Sequence, residues 1–313
     1  MNIEGGKPMY YFIVNLQARN GRCQRVWRTI EDQLEELSVP YQVYFTEYQG
    51  HAVELTTSII HEANANSIII VVVGGDGTLH EVVNGAVHRS NISIGFIPGG
   101  SGNDFSRGFQ IPKNPKDALA LILEGRFQTV VDTGKICMGE EQSYFINNMG
   151  VGFDATICKE VNQSKLKAKL NRLSLGSLVY AIVLIKLLFT YKCSDMRVNI
   201  DGLEKSFENV WFVTIANQIY FGGGMKISPE ASVTDGLLDL TIVQNLSRWK
   251  LLFVFITVFW GGHTQFREVK TFTGKSISIY GDEQVLIHAD GEVIGKAPVK
   301  VDVCEHSLRV LAG

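Results

Sequence analysis

Two short segments carry the residues best suited to chemistry on a phosphate. The first is Gly74-Gly75-Asp76-Gly77-Thr78, entered directly from the β-branched run Ile68–Val73. Glycines at the end of a buried strand let backbone N–H groups close on a phosphate, and a following helix adds the partial positive charge of its N-terminus. A carboxylate at that mouth, here Asp76, serves either as a metal ligand or as a turn-former. The second segment, Pro98-Gly99-Gly100-Ser101-Gly102-Asn103-Asp104-Phe105, follows the apolar run Ile94–Ile97 in the same way. Two glycine-rich loops at the ends of successive parallel strands imply one two-walled pocket. Neither is a familiar nucleotide fingerprint. A P-loop would need glycine at Val269, ahead of Gly274-Lys275-Ser276, and a dinucleotide fold would need glycine at Phe105 after Gly100-x-Gly102.

These loops need an open α/β sheet, and the first third of the chain predicts one. Apolar runs at Tyr10–Val14, Tyr41–Phe45, Ile68–Val73 and Ile92–Ile97 alternate with helical patterns at Arg22–Leu37, Ala52–Ala63 and about Leu79–Val87. The run Ile68–Val73 is continuously apolar, as expected of a strand covered on both faces. Alternation at this spacing predicts βαβ units and a doubly wound parallel sheet. After the helical stretch Asp117–Leu123 the pattern changes to strands: Val130–Ile136, Tyr144–Asn148, Met196–Ile200, Val210–Ala216, Leu238–Val243, Ser276–Tyr280 and Val285–His288. Asp201-Gly202 between two such runs is a hairpin signal. The expected fold is therefore α/β, with an N-terminal nucleotide-binding domain over residues 1–127. A mainly antiparallel, β-rich domain is expected over 128–313, its extreme C-terminus returning to the first domain.

Length and composition agree with this division. The 313 residues are 45% hydrophobic and 19% charged, a well-packed globular balance, and the net charge of −3 gives no reason to expect nucleic acid as a partner. The five cysteines, Cys23, Cys137, Cys158, Cys193 and Cys304, are scattered with no C-x-x-C, which points to a reducing compartment. The sequons at Asn91, Asn162 and Asn245 then carry no meaning. Glu4 and the short apolar run at Tyr10–Val14 argue against a signal peptide, so a cytoplasmic location is expected.

The motifs GGDGTLHEVVNG (Gly74–Gly85) and PGGSGNDFSRG (Pro98–Gly108) resemble the signature of the diacylglycerol-kinase catalytic domain. Chain length and the greasy C-terminal half are similar to the bacterial YegS-like lipid kinases of that family. Two motifs extend the resemblance from Asn15 to Glu292: Pro229-x-Ala231-x-x-x-Asp235-Gly236-x-Leu238-Asp239 and Asp290-Gly291-Glu292. Read alone, Asp235-Gly236 and Asp290-Gly291 are ordinary turns. The chain departs from the family pattern at Leu16, where relatives carry proline, at Thr234, where they often carry an acid, and at Ser101, where many carry threonine.

The resemblance implies an ATP- and Mg²⁺-dependent kinase acting on a lipid hydroxyl, diacylglycerol foremost. It implies nucleotide contacts at Asn15, Thr46, Gly74, Gly75, Asp76, Gly77, Thr78, Gly100, Ser101, Asn103 and Asp104, with Asp76 and Asp104 organising the metal on the phosphates. Glu292 is the implied proton acceptor, with Asp290 as second candidate. Asp235, with carbonyls near Ser232 and Leu237, is the implied site of a structural Mg²⁺. The competing readings are a kinase of a soluble substrate, as in NAD kinases, and a nucleotide-binding regulator without catalysis. A membrane scaffold would leave both glycine loops unexplained.

Two greasy segments, Leu178–Phe189 and Leu251–Trp260, fall short of the roughly 20 apolar residues that span a bilayer. They read either as buried helices or as faces that meet a membrane surface. Lys165, Lys167, Lys169 and Arg172 precede the first of them and suit anionic headgroups. Peripheral membrane association and a lipid substrate are expected as partners, and a homodimer is compatible with the sequence.

Overall fold

The structure, a computed structural model, describes residues 8–63, 67–125, 128–164 and 176–312, and the side chains of these except 176–181. Lys165, Lys167, Lys169 and Arg172 lie outside the described residues, as does residue 127. The chain forms two compact units, Met1–Val131 with Ser307–Gly313, and Asp132–His306.

The first unit runs β1 (Tyr10–Val14), α1 (Cys23–Glu36), β2 (Tyr41–Phe45), α2 (His51–Ala63), β3 (Ile68–Gly74), α3 (Asp76–Ala86), β4 (Ile92–Pro98), α4 (Asp104–Gly108) and α5 (Pro115–Glu124). Strand β1 pairs in parallel with β2 and with β3, and β3 pairs in parallel with β4. β4 is wholly buried and β3 nearly so, which is why their sequences are runs rather than alternations. Helix α1 presents Cys23, Trp27, Ile30 and Leu34 to the core at helical spacing. It packs beside α5, and α2 packs beside α3, as in a doubly wound sheet. Helix α5 has the start and stop signals that its sequence advertises. The Asn114 side chain accepts from the Lys116 N–H, Pro115 opens the helix, and Gly125 closes it in the left-handed region at φ 59°.

The second unit is antiparallel. Its elements are β5 (Gln128–Met138), which begins in the first unit, β6 (Glu141–Phe145), β7 (Asn148–Gly152), α6 (Phe153–Gln163), α7 (Gly176–Thr190), β8 (Ser194–Ile200), β9 (Leu203–Ala216), β10 (Tyr220–Phe221), β11 (Met225–Lys226), β12 (Leu238–Gln244), α8 (Arg248–Thr257), β13 (Val269–Gly274), β14 (Ser276–Tyr280), β15 (Leu286–Ala289), β16 (Glu292–Lys296) and β17 (Val299–Leu311). Strand β9 is the hub, pairing with β7, β8 and β12. The inner face of the sheet is filled by Phe145, Met149, Val213, Ile215, Leu240, Ile277 and their neighbours. A second apolar cluster, with Phe153, Leu184, Leu188, Trp211, Leu251 and Val254, joins the sheet to α6, α7 and α8. The end of β17 belongs to the first unit, where Arg309–Leu311 pair in parallel with Ser93–Gly95 of β4.

Two elements differ from the sequence expectation. The single strand expected over Tyr144–Asn148 is two strands, β6 and β7, divided at Ile146-Asn147. The N–H groups of those two residues donate to the Asp290 carboxylate instead of to a ladder. The helix expected from about Leu79 begins at Asp76, because Gly75 is extended (φ −108°, ψ −178°) and its carbonyl accepts from the Leu79 N–H at 3.1 Å. Asp76 and Thr78 therefore stand on the first turn of α3 and not in the preceding loop.

Candidate active site

In the first unit the expected nucleotide residues gather at the carboxyl ends of the parallel strands, where ligands bind in open α/β sheets. The Gly99 N–H donates to the Gly74 carbonyl at 2.7 Å, tying the two glycine loops together. A Cβ added to Gly100 would lie 2.5 Å from the Gly75 Cα, so the loops pack backbone to backbone. This close approach, rather than a positive φ, is what requires glycine at position 100, while a Cβ on Gly75 would stand 3.2 Å from the Gly100 Cα. We expect Gly100→Ala to cost about 1–3 kcal/mol through overpacking, measured by thermal melting, and to abolish nucleotide binding measured by calorimetry.

Side chains then lock the loops. Asn15, just beyond β1, donates from Nδ2 to Thr78 Oγ1 at 3.0 Å, and its Oδ1 accepts from the N–H groups of Gln17 and Ala18. Leu16 in place of proline thus leaves this turn closed by Asn15 itself. Thr46 follows β2, half-buried, its N–H bonded to the Val14 carbonyl. Asn103 is left-handed at φ 53° and bonds Gly100 twice, Oδ1 accepting from its N–H and Nδ2 donating to its carbonyl, each at 3.1 Å. Asn tolerates that backbone region better than other residues with a Cβ. Ser101, between the glycines, is exposed.

Two carboxylates border the second loop. Asp76 Oδ1 accepts from the Phe105 N–H at 3.2 Å. Asp104 is buried and pairs with Arg107 at 3.0 Å, while Arg107 also donates to the Gly102 carbonyl. A Cβ on Gly102 would meet Asp76 Oδ2 at 2.9 Å and Asp104 Oδ2 at 3.8 Å, so both acids face this glycine. Sequence reading missed two supports. Glu81 of α3 accepts from the N–H groups of Gly50 and Ala52 at 2.8 and 3.0 Å, capping α2 from outside. The Cys23 thiol, pushed up to about 11 by burial, sits where any side chain on Gly99 would go. No local pattern announces either.

The second unit holds the remaining candidates in two turns. Asp290-Gly291 forms the two-residue turn between β15 and β16, with φ 47° and 88°, as in the primed turns that suit a hairpin. The buried Asp290 carboxylate accepts from Ile146, Asn147 and Asn148 N–H groups at 3.1, 2.9 and 3.2 Å. Both of its oxygens thus accept from the backbone of residues 146–148. Glu292 opens β16 half-buried, and Asn162 of α6 donates to the Gly291 carbonyl between them. Beneath this turn, His288 is fully buried with Nε2 3.5 Å from Asp154 Oδ2, and the Phe221 ring stacks on it.

The other turn contains Ser232, Asp235 and Leu237. Asp235 is exposed and its Oδ1 accepts from the Leu237 N–H at 3.1 Å, while Ser232 Oγ lies 3.5 Å from Thr234 Oγ1. Burial, and then the charges of Asp235 and Glu230, raise Asp239 to about 6. The turn is held by a residue that sequence reading overlooked. Asp132, fully buried in β5, accepts from the Gly236 and His306 N–H groups at 2.8 and 2.7 Å, and its own N–H donates to the Val233 carbonyl. An aspartate inside the β-branched stretch Thr129–Thr133 was the available signal, since a buried carboxylate needs a set of donors.

Comparison with known proteins gives the family. Residues 9–136 match the diacylglycerol kinase catalytic domain, and residues 147–312 match the YegS C-terminal NAD kinase beta sandwich-like domain. The chain is 31% identical over 304 residues to the Bacillus subtilis (strain 168) protein YtlR, covering 96% of this chain and 98% of that one. It is 32% identical over 282 residues to a diacylglycerol kinase of Staphylococcus aureus (strain Newman), covering 90% and 84% respectively. A solved structure of a diacylglycerol kinase from Bacillus anthracis str. Sterne superposes with a TM-score of 0.70 at 21% identity, over 97% of both chains, a likeness of fold. With both domain models matched in order and a full-length relative above 30% identity, the chain belongs to the diacylglycerol kinase-like lipid kinase family.

Proposed function

We propose that the protein transfers the γ-phosphoryl group of ATP to the hydroxyl of a lipid, diacylglycerol first among candidates, with Mg²⁺. The observation that carries the reading is the pair of backbone-packed glycine loops bordered by Asp76 and Asp104. Phosphoryl transfer asks the protein mainly for positioning and charge neutralisation. The two glycine loops, Gly74–Thr78 and Gly100–Asp104, hold the nucleotide phosphates, with Asn15 and Thr46 as further nucleotide contacts. The lipid oxygen bonds to the γ-phosphorus as the bond to the β–γ bridging oxygen breaks and ADP leaves. Glu292 takes the hydroxyl proton. Asp290 shapes the turn that presents Glu292, because its own oxygens serve three backbone amides.

Mg²⁺ suits these donors. Among the described residues no group of three or more His, Cys, Asp or Glu converges on one point. Mg²⁺ does not require one, since it commonly keeps several waters and uses one or two carboxylates beside substrate phosphates. Asp76 and Asp104 would hold it at the nucleotide, where it neutralises charge on the transferring phosphate. Asp235 with the Ser232 and Leu237 carbonyls offers a second all-oxygen set; burial first, and then the charges of Asp235 and Glu230, raise the neighbouring Asp239, and a cation would offset the charge part of that shift. We expect Mg²⁺ to raise the melting temperature of the wild type, and Asp235→Ala to remove much of that response, because a ligand bound only by the native state stabilises it. An undiminished response in the mutant would remove Asp235 from metal binding.

The reading is tested by offering labelled ATP with diacylglycerol in one arm and NAD in the other. Label in the organic phase with diacylglycerol supports it. Label moving only to NAD would favour the soluble-substrate alternative.

A further inference from the structure

The two greasy segments are neither wholly buried nor separate. Helix α7 buries Val183, Leu184, Leu187 and Leu188, while Ile182, Ile185 and Phe189 on its other side are exposed. Helix α8 and the tight turn after it bury Leu251, Val254 and Val258, leaving Trp249, Phe253, Ile256, Phe259 and Trp260 exposed, with Trp249, Phe253, Ile256 and Trp260 at intervals of four, three and four residues. That spacing is one helical stripe, and its members are 71%, 61%, 57% and 63% exposed. The two stripes join. The Phe189 and Trp249 rings meet edge to face at 5.5 Å, and Arg248 Nε donates to the Leu188 carbonyl at 3.0 Å. Single exposed apolar residues are ordinary, whereas eight large ones on two adjoining helices and the turn after them mark an interaction surface.

We propose that this face docks the protein on an anionic bilayer leaflet; the inference rests on the reading of the substrate as a lipid and names the surface from which it is reached. Among the described residues no helix is long and apolar enough to cross a membrane. An apolar stripe of this length therefore lies in the interface plane. Trp249 and Trp260 stand at its two ends, the residue type that settles at headgroup level. Across residues 176–193 and 246–268 the charges are Lys186, Lys192, Arg248, Lys250 and Arg267 against the single acid Glu268. A second copy docking through the same face would bring those cations against their own counterparts. Anionic headgroups complement them. Glu160 already pairs with Lys186, and Glu268 with both Lys250 and Arg267, so apolar contact carries the larger share of the binding.

The test uses the unmodified full chain first. Brominated phosphatidylglycerol–phosphatidylcholine vesicles should quench the exposed Trp249 and Trp260, while the buried Trp27 and Trp211 keep their emission. No quenching overturns the proposal. The double variant Trp249→Gln/Phe253→Gln, at exposed positions, should keep the wild-type melt. It should lose vesicle partitioning by about tenfold or more, as removal of two large apolar contacts requires. Its turnover on a monomeric short-chain diacylglycerol should stay unchanged while turnover on vesicle-borne diacylglycerol falls. Wild-type partitioning in the variant contradicts the proposal, and so does a wild-type dimer in sedimentation velocity that the variant converts to monomer without any vesicle binding. If the wild type binds vesicles, the variant does not, and neither labels any lipid, the docking face stands and the kinase reading fails.

Discussion

Asp76→Ala should lower lipid phosphorylation by about 10²–10³-fold or more, the scale of losing one preorganised charge-stabilising group in an active site. The melting temperature should shift by only a few degrees. In the fold, Asp76 ties the loops through its Oδ1, which accepts the Phe105 N–H at 3.2 Å, and a bond of that kind is worth about 1 kcal/mol. Asp76→Asn separates the two contributions, because the amide oxygen retains the bond to Phe105 while the charge is gone. We expect it to melt like the wild type and to be nearly as inactive as the alanine variant. Activity retained in both, measured as ADP release with lipid present, would remove Gly74–Thr78 from the catalytic phosphate site.

Glu292→Gln should lower kcat by about 10²–10⁴-fold, the usual contribution of a general base, and leave ATP affinity unchanged. The partner experiment is Asp290→Asn, and its phenotype should be of a different kind. The Asp290 carboxylate receives three N–H groups from residues 146–148. An amide NH₂ cannot replace an acceptor oxygen there, so a buried donor loses its partner at a cost of about 1–3 kcal/mol. Asp290→Asn should therefore melt lower and lose activity through disorder of the turn, with the kcat deficit shrinking on cooling or in stabilising salt. If Asp290→Asn melts like the wild type yet is the less active of the two, the proton acceptor is Asp290.

The glycine loops were legible because their signal is local. A run of six β-branched residues, Ile68–Val73, followed by glycine and a helix pattern describes strand, turn and helix without reference to distant chain. The antiparallel character of the second unit was legible for the same reason, through alternating runs and Asp-Gly turns at residues 201–202 and 290–291. What escaped depends on distant partners. Asp290 reads as a turn residue in sequence, yet its carboxylate is bonded to N–H groups 142 to 144 positions away. Those same N–H groups break the expected strand Tyr144–Asn148 in two. Asp132 looks like an interruption of a strand until its partners at Gly236 and His306 are seen. The greasy segments posed a choice between buried and exposed that hydropathy cannot make, because α7 and α8 carry apolar residues on both sides.

The proposed reaction is transfer of phosphate from ATP to a lipid hydroxyl. It is met most directly by incubating the full chain with γ-labelled ATP, Mg²⁺ and mixed vesicles containing diacylglycerol, other glycerolipids and sphingoid bases, then extracting and resolving the lipids. The expected result is one labelled phospholipid, formed from diacylglycerol, dependent on Mg²⁺ and absent with Asp76→Asn. Unlabelled lipid beside steady ADP release to a water-soluble acceptor would contradict it.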